Sequence, residues 1–271
     1  DIHVGHYLEP RLVYTEPAFL TAPTAVEGRR TIHLGLDLFA PAGHRVFAPL
    51  DGHVVAAVYR DGHLDYGGVL VLAHIDGHGT PFYTLYGHLA KDSIGNLAPG
   101  DLVSAGQQVA TLGAPSENGG WQPHLHFQLA PCLPDVTGAL PHDWPGVADA
   151  DDLDFFSALY PNPADLLGLL PEELVYPVSG TAALQEKRHK RFGANLKLSY
   201  RQPIQLLRGW KHYLYDEMGR TYLDAYNNVP HVGHAHPRIN AVMARQSRLI
   251  NTNTRYLHPA QVKFADALRQ R

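Results

Sequence analysis

Between about residue 28 and residue 130, apolar and polar positions alternate in short runs: HRVFAPL, HVVAAVY, GVLVLAH, PFYTLYG, DLVSAGQQVATLG and PHLHFQL. These runs are rich in β-branched and aromatic residues. Turn chemistry separates them at Asp51-Gly52, Asp61-Gly62, Gly67-Gly68 and Pro99-Gly100. Period-two patterning in pieces this short predicts an antiparallel sheet or sandwich, not βαβ units. Residues 131–161 form a Pro- and Asp-rich excursion. NPADLLGLL then predicts a short helix, with Asn162 as its N-cap, Pro163 at its first position and Asp165 in its first turn.

Composition shifts at residues 171–191, where PEELVYPVSG gives way to the basic run LQEKRHKR. No aromatic residues interleave its first charges, so it reads as a linker and a solvated face. KHYLYDEMGRTYLDAY alternates on both sides of Asp216–Gly219 and predicts a β-hairpin. Two amphipathic helices follow. Ile239, Val242, Met243 and Ile250 share a helical face behind Pro237, and PAQVKFADALRQR is the second. The expected fold is a mainly β N-terminal domain of residues 1–172 with its core at 28–130, a linker at 173–186, and an α+β segment at 187–271.

Composition narrows the chemistry. The formal charge of −4 on 271 residues argues against a dedicated nucleic-acid binder, and no apolar run is long enough to span a membrane. One cysteine, Cys132, excludes a disulfide framework and cysteine-rich metal motifs, so any metal must be held by carboxylates and the 18 histidines. The N-terminus, DIHVGHYLEP, has neither a basic n-region nor an apolar h-region, which favours a cytoplasmic location; a chain that starts at Asp1 leaves truncation or processing open.

The candidate ligands are His33 and Asp37 in HLGLD, His124 and His126 in PHLHFQL, and His88 in YTLYGHLA. On a straight strand the α-carbons of His33 and Asp37 would lie roughly 13 Å apart, at about 3.3 Å per residue. Two side chains ligating at about 2.0–2.2 Å together reach only around 10 Å. A bend is therefore needed, and Gly35 stands midway to supply it. His124 and His126 point to one face of their strand. One can bind the metal while the other stands beside a bound water or substrate. His44, His53, His63, His74 and His78 lie near glycines in turns or at strand ends and read as structural. The acidic DADDLD at 149–154 fails as a calcium loop, because Asp154 stands where glycine is needed and Tyr160 where the bidentate acid belongs.

In order, HLGLD, AGHRVFAPLDGHVVAA, YGGVLVLAH, FYTLYGHL, PGDLVSAGQQVATLG and PHLHFQL resemble the lysostaphin-type (LytM-like) zinc metallopeptidases, peptidoglycan endopeptidases with a duplicated-hybrid-motif β-fold. The resemblance implies one Zn²⁺ per chain held by His33, Asp37 and His126, with a water completing the coordination. It places His88 and His124 at catalytic positions and implies a peptide or peptidoglycan-like substrate. The competing reading is a non-hydrolytic metal-binding or scaffold module within a larger pyridoxal-phosphate-dependent fusion protein.

That alternative arises from residues 187–271. YLYDEMGRTYLDAYNNVPHVGHAHPRI and LINTNTRYLHP resemble the N-terminal part of class III aminotransferase-fold enzymes, with wording nearest to phospho-lyases. His231, His234 and His236 then belong to that family text rather than to a second metal cluster. The family's cofactor lysine lies beyond Arg271, and Lys211 and Lys263, the only lysines after residue 200, have no fitting context. Pyridoxal phosphate is therefore not expected on this segment, which reads as incomplete. Its apolar helices make self-association through the segment an expectation.

Overall fold

The computed structural model describes residues 3–11, 14, 17–22, 28–133, 144–176, 180–226, 231–251 and 255–270. Parts of the excursion (134–143), of the linker (177–179) and of the two C-terminal motifs (227–230 and 252–254) lie outside the described residues. By contact the chain divides into two units, Asp1–Leu207 with Tyr215–Tyr222, and Arg208–Leu214 with Leu223–Arg271.

The strands of the first unit are β1 (His3–Gly5), β2 (Arg30–His33), β3 (Leu36–Phe39), β4 (Arg45–Phe47), β5 (Gly52–Arg60), β6 (Gly67–Ile75) and β7 (Pro81–Leu89). After a one-turn helix α1 (Lys91–Ile94) come β8 (Leu102–Val103), β9 (Gln108–Thr111), β10 (His124–Ala130) and β11 (Val147–Asp149). Seven of them form one sheet in the order β1-β3-β10-β7-β6-β5-β8. Every pairing in it is antiparallel. DLVSAGQQVATLG, read as one run, is two strands, because a turn at Ser104–Gln107 sends β8 to the large sheet and β9 to β4.

Alternation along these strands buries both faces of the sheet. Leu70, Leu72, Tyr86, Leu125 and Phe127 pack on one side against Val46, Val103, Val109 and Leu112. Val69, Val71, Leu85 and Ala130 pack on the other against Ile32, Leu34, Trp144, Ala148 and Tyr160. Two covered faces explain why β6 reads as a nearly continuous apolar run rather than a clean alternation.

Two local expectations change. NPADLLGLL forms only a 3₁₀ turn, Ala164–Leu167, with Asn162 Oδ1 accepting from the Ala164 amide at 3.1 Å. The cap is present, but Gly168 adopts φ 65° and stops the helix after one turn. The excursion, in contrast, contains a 3₁₀ turn (Ala150–Asp152) that leads into a helix α2 (Leu153–Leu159), and Asp149 Oδ1 caps the turn by accepting from the Asp151 amide at 3.1 Å.

Helix α3 (Thr181–Arg191) carries the basic run and has no buried residue. Strands β12 (Leu206–Trp210), β13 (Tyr213–Asp216) and β14 (Thr221–Leu223) form a three-stranded sheet. Its Asp216–Gly219 turn is tied by Asp216 Oδ1, which accepts from the amides of Met218 and Arg220 at 2.9 and 2.8 Å. Helices α4 (Pro237–Leu249) and α5 (Pro259–Arg269) each begin with proline and bury none of their residues; Val242, Met243 and Phe264 are exposed. No helix among the described residues is long and apolar enough to cross a membrane.

The break between β2 and β3 falls at Leu34–Gly35, with Gly35 in a bend. Leu34 and Leu36 are fully buried on either side. Gly35 is required there for space rather than for a left-handed backbone. A Cβ on it would lie 2.6 Å from the Phe127 carbonyl oxygen and 2.9 Å from His126 Cε1. Gly35→Val should therefore push the His126 ring out of place and weaken metal binding although it replaces no candidate ligand, at a cost of about 1–3 kcal/mol in stability. Equilibrium dialysis against Zn²⁺ reads the first effect and thermal unfolding the second; wild-type affinity in a folded Gly35→Val chain would refute the role given to Gly35.

Candidate metal centre

Register brings the site together. Across the sheet, Gly5 pairs with Asp37, Asp37 with His126, and His126 with Gly87, so a row reading Gly-Asp-His-Gly crosses four strands on one face. The two outer glycines leave room above the row. A Cβ on Gly5 would fall 2.5 Å from Arg11 Nη2, and one on Gly87 would fall 2.6 Å from the Tyr66 ring. His33 enters from the end of β2, turned in by the Gly35 bend.

His33, Asp37 and His126 are buried and form the one group of potential metal ligands found among the described residues. His33 Nε2 and His126 Nδ1 are 3.0 Å apart, and each is 3.1 Å from Asp37 Oδ1. The protons lie elsewhere. His33 Nδ1 faces the His6 carbonyl at 3.0 Å, and His126 Nε2 faces Gln128 Oε1 at 3.0 Å. Gln128 is oriented in turn by its Nε2, which donates to the Pro145 carbonyl at 3.1 Å. A carbonyl oxygen can only accept, so the outward nitrogen of each ring carries the N–H and the inward nitrogen is bare.

With the rings in this tautomer, two imidazole lone pairs and a carboxylate oxygen converge on one point, an arrangement that a cation satisfies. The triangle also has the right size. Ligands at about 2.0–2.1 Å from a tetrahedral zinc ion lie about 3.3 Å apart, so the three atoms match one face of such a tetrahedron and leave a fourth position. Ring N–H groups donating to outer-shell carbonyls are the usual support of metal-ligating histidines. The residues present therefore fit a metal ion.

The electrostatics agree. Burial lowers His33 to about 4, against the pull of Asp37, so its ring is neutral at pH 7.

His124 follows His126 by strand alternation. It stacks on Phe39, with ring centroids 5.0 Å apart, and its Nε2 is 3.6 Å from Asp37 Oδ2. His88 arrives by a different route. Gly87 lies on the site face, so simple alternation would turn His88 into the core. Instead Gly87 and His88 together oppose Val69 in a bulge, and His88 adopts φ 63°, which re-aims its ring to 4.3 Å from that of His124. A left-handed non-glycine residue costs about 1–3 kcal/mol, and such strain gathers at functional sites. His88 Nδ1 faces the Asn118 carbonyl at 3.0 Å and His124 Nδ1 the Gln122 carbonyl at 2.6 Å, so each presents a bare Nε2. Burial holds both rings below the ordinary histidine range, His88 well below it with help from His124.

All five residues singled out in the sequence line one cleft of about 1090 Å³. Its walls include Arg60, His63, Asp65 and Tyr66 from the 60–67 loop, and Trp121 and Gln122 at the end of the 114–121 loop. Of the other histidines, His44, His53, His63 and His78 are exposed, and His74 is buried between the Asp51 carbonyl and Thr84 Oγ1, each at 2.8 Å. His234 bonds Asp224 Oδ2 at 2.8 Å. Sequence reasoning missed Arg11, whose Nη1 donates to Asp37 Oδ2 at 2.5 Å. Nothing in the local text around Arg11 signals that contact, which spans 26 residues.

Comparison with known proteins divides along the chain. Residues 31–133 match the model of Peptidase family M23. The catalytic domain of the antimicrobial peptidase lysostaphin from Staphylococcus simulans is 25% identical, covers 57% of this chain and 92% of its own, and superposes with a TM-score of 0.35. An alanine–glyoxylate aminotransferase 2-like protein of Drosophila melanogaster is 43% identical over 82 residues, 30% of this chain. The ethanolamine-phosphate phospho-lyase homolog 1 of Caenorhabditis elegans is 32% identical over 73 residues, 27% of this chain. The chain spans only 17% and 16% of the length of these two curated relatives.

Proposed function

Taking residues 31–133 as a peptidase family M23 domain, we propose that this chain is a zinc-dependent endopeptidase that hydrolyses a peptide bond of the peptidoglycan cross-link type. The observation that carries the reading is the proton-free triangle of His33 Nε2, His126 Nδ1 and Asp37 Oδ1, with edges of 3.0–3.1 Å. One Zn²⁺ held there would lower the pKa of a water towards about 7 and polarise the scissile carbonyl.

The chain's own residues supply the rest. His124 Nε2 accepts a proton from the attacking water, and the Asp37 carboxylate, 3.6 Å away, stabilises the imidazolium that results. His124 then hands that proton to the leaving amine, while His88 presents a second bare Nε2 beside it in the same cleft. Neutral rings are needed for the first transfer, and burial keeps both neutral at pH 7. Tyr66, Trp121 and the charged pair Arg60–Asp65 line the cleft in which the peptide would lie. The aminotransferase-like segment is given no catalytic role in this chain.

Incubation of the zinc-loaded chain with glycine-rich and D-amino-acid cross-link peptides tests the proposal. Cleavage that stops on chelation and returns with Zn²⁺ is expected. Intact peptides in the presence of stoichiometric bound zinc would overturn it in favour of a non-hydrolytic metal-binding module.

A further inference from the structure

Asp37 has two carboxylate oxygens with different partners. Oδ1 belongs to the triangle with His33 and His126, whereas Oδ2 accepts from Arg11 Nη1 at 2.5 Å. We propose that Arg11 is a positioning residue of the metal centre, which holds Oδ2 so that Asp37 ligates through one oxygen and the fourth position of the ion stays free. The inference rests on the metal-centre reading above and names a residue outside the matched peptidase segment, 31–133.

A buried carboxylate beside a divalent cation can present both oxygens to it. Here a second Asp37 oxygen would occupy the position that a catalytic zinc must leave to water or substrate. The charge-assisted bond from Arg11 has to be broken before Oδ2 can turn inward, so the guanidinium acts as a stop on carboxylate rotation.

Arg11 is built into this place. The segment that carries it lies along β2 beside the ligand His33: the Leu8 amide donates to the His33 carbonyl at 2.9 Å, the His33 amide to the Glu9 carbonyl at 3.0 Å, and the Arg11 amide to the Thr31 carbonyl at 2.7 Å. The guanidinium is further held by Nε, which donates to Glu9 Oε2 at 2.9 Å, and by Nη1, which lies 3.4 Å from the Tyr14 hydroxyl. The glycine that begins the ligand row, Gly5, leaves the space that Arg11 Nη2 fills. Glu9 also balances the charge of Arg11, so the carboxylate is restrained without a net positive charge being set against the incoming cation. The Arg11 side chain keeps 16% exposure against 1% for Asp37, consistent with a plug at the edge of the site rather than a core residue.

Cobalt(II) in place of zinc tests this on the full chain, because four-coordinate Co²⁺ absorbs visible light several-fold more strongly than the five-coordinate ion. The wild-type chain should bind one Co²⁺ with the strong four-coordinate band. Arg11→Ala should bind Co²⁺ with a several-fold weaker band, and added guanidinium ion, small enough to enter the gap, should restore it. Arg11→Gln serves in the same way if Arg11→Ala does not fold by circular dichroism. A variant band equal to wild type, or a weakened band that guanidinium leaves unchanged, overturns the proposal. If the wild-type chain binds no Co²⁺, or binds it equally well as His126→Ala, the metal-centre reading itself fails and carries this inference with it.

Discussion

His126→Ala should purify without its metal. The substitution removes one corner of the triangle and leaves His33 Nε2 and Asp37 Oδ1, 3.1 Å apart, as a two-ligand site. Removing only an outer-shell partner typically costs about 10–100-fold in metal affinity, so loss of a ligand should cost about 100-fold or more. The change also strands Gln128 Oε1, which accepts from the His126 ring at 3.0 Å and is fully buried. An unpaired buried acceptor costs about 1–3 kcal/mol, so the apo variant should melt below the apo wild type. Elemental analysis after dialysis is the deciding measurement. Stoichiometric zinc that survives the substitution would sink the ligand assignment.

The second large effect separates binding from chemistry. His124→Ala leaves all three proposed ligands in place, so zinc content should stay at one per chain. Peptide hydrolysis should nevertheless fall by about 10²–10⁴-fold, the usual contribution of a positioned acid or base. Phe39, which stacks on His124, loses that ring but keeps its strand pairing. A folded, zinc-replete His124→Ala chain that cleaves cross-link peptides at the wild-type rate would remove His124 from the mechanism and shift the proton transfer to His88. Measured together, the two variants distinguish a lost ion from a lost base, which activity alone cannot do.

Much of the site is legible locally because its ligands sit in short motifs with fixed geometry. HLGLD demands a bend, since a flat strand carries His33 and Asp37 too far apart, and the bend is found at Gly35. HLH puts two rings on one face because strand side chains alternate. The hairpin at Asp216–Gly219 and the proline-started helices α4 and α5 are equally local. Failures of sequence reasoning have local causes too. The helix expected from Asn162 is cut short by left-handed Gly168, and α2 hides in an excursion whose acids and prolines suggest only loop.

By itself, then, the sequence determined which residue types could hold a metal, that His33 and Asp37 could share one only across a bend, and that a cysteine-rich metal motif was excluded. Only the tertiary structure decided how they meet. Sheet register set Asp37 opposite His126, a bulge against Val69 turned His88 out of the core, and carbonyls from His6, Gln128, Asn118 and Gln122 chose the bare nitrogen of each ring. The physical reason is the range of the interactions. Alternation, capping and turn chemistry act over a few residues and are written in the local text, whereas the contact between Arg11 and Asp37 exists only once β1 and the segment after it have been laid against β3 and β2.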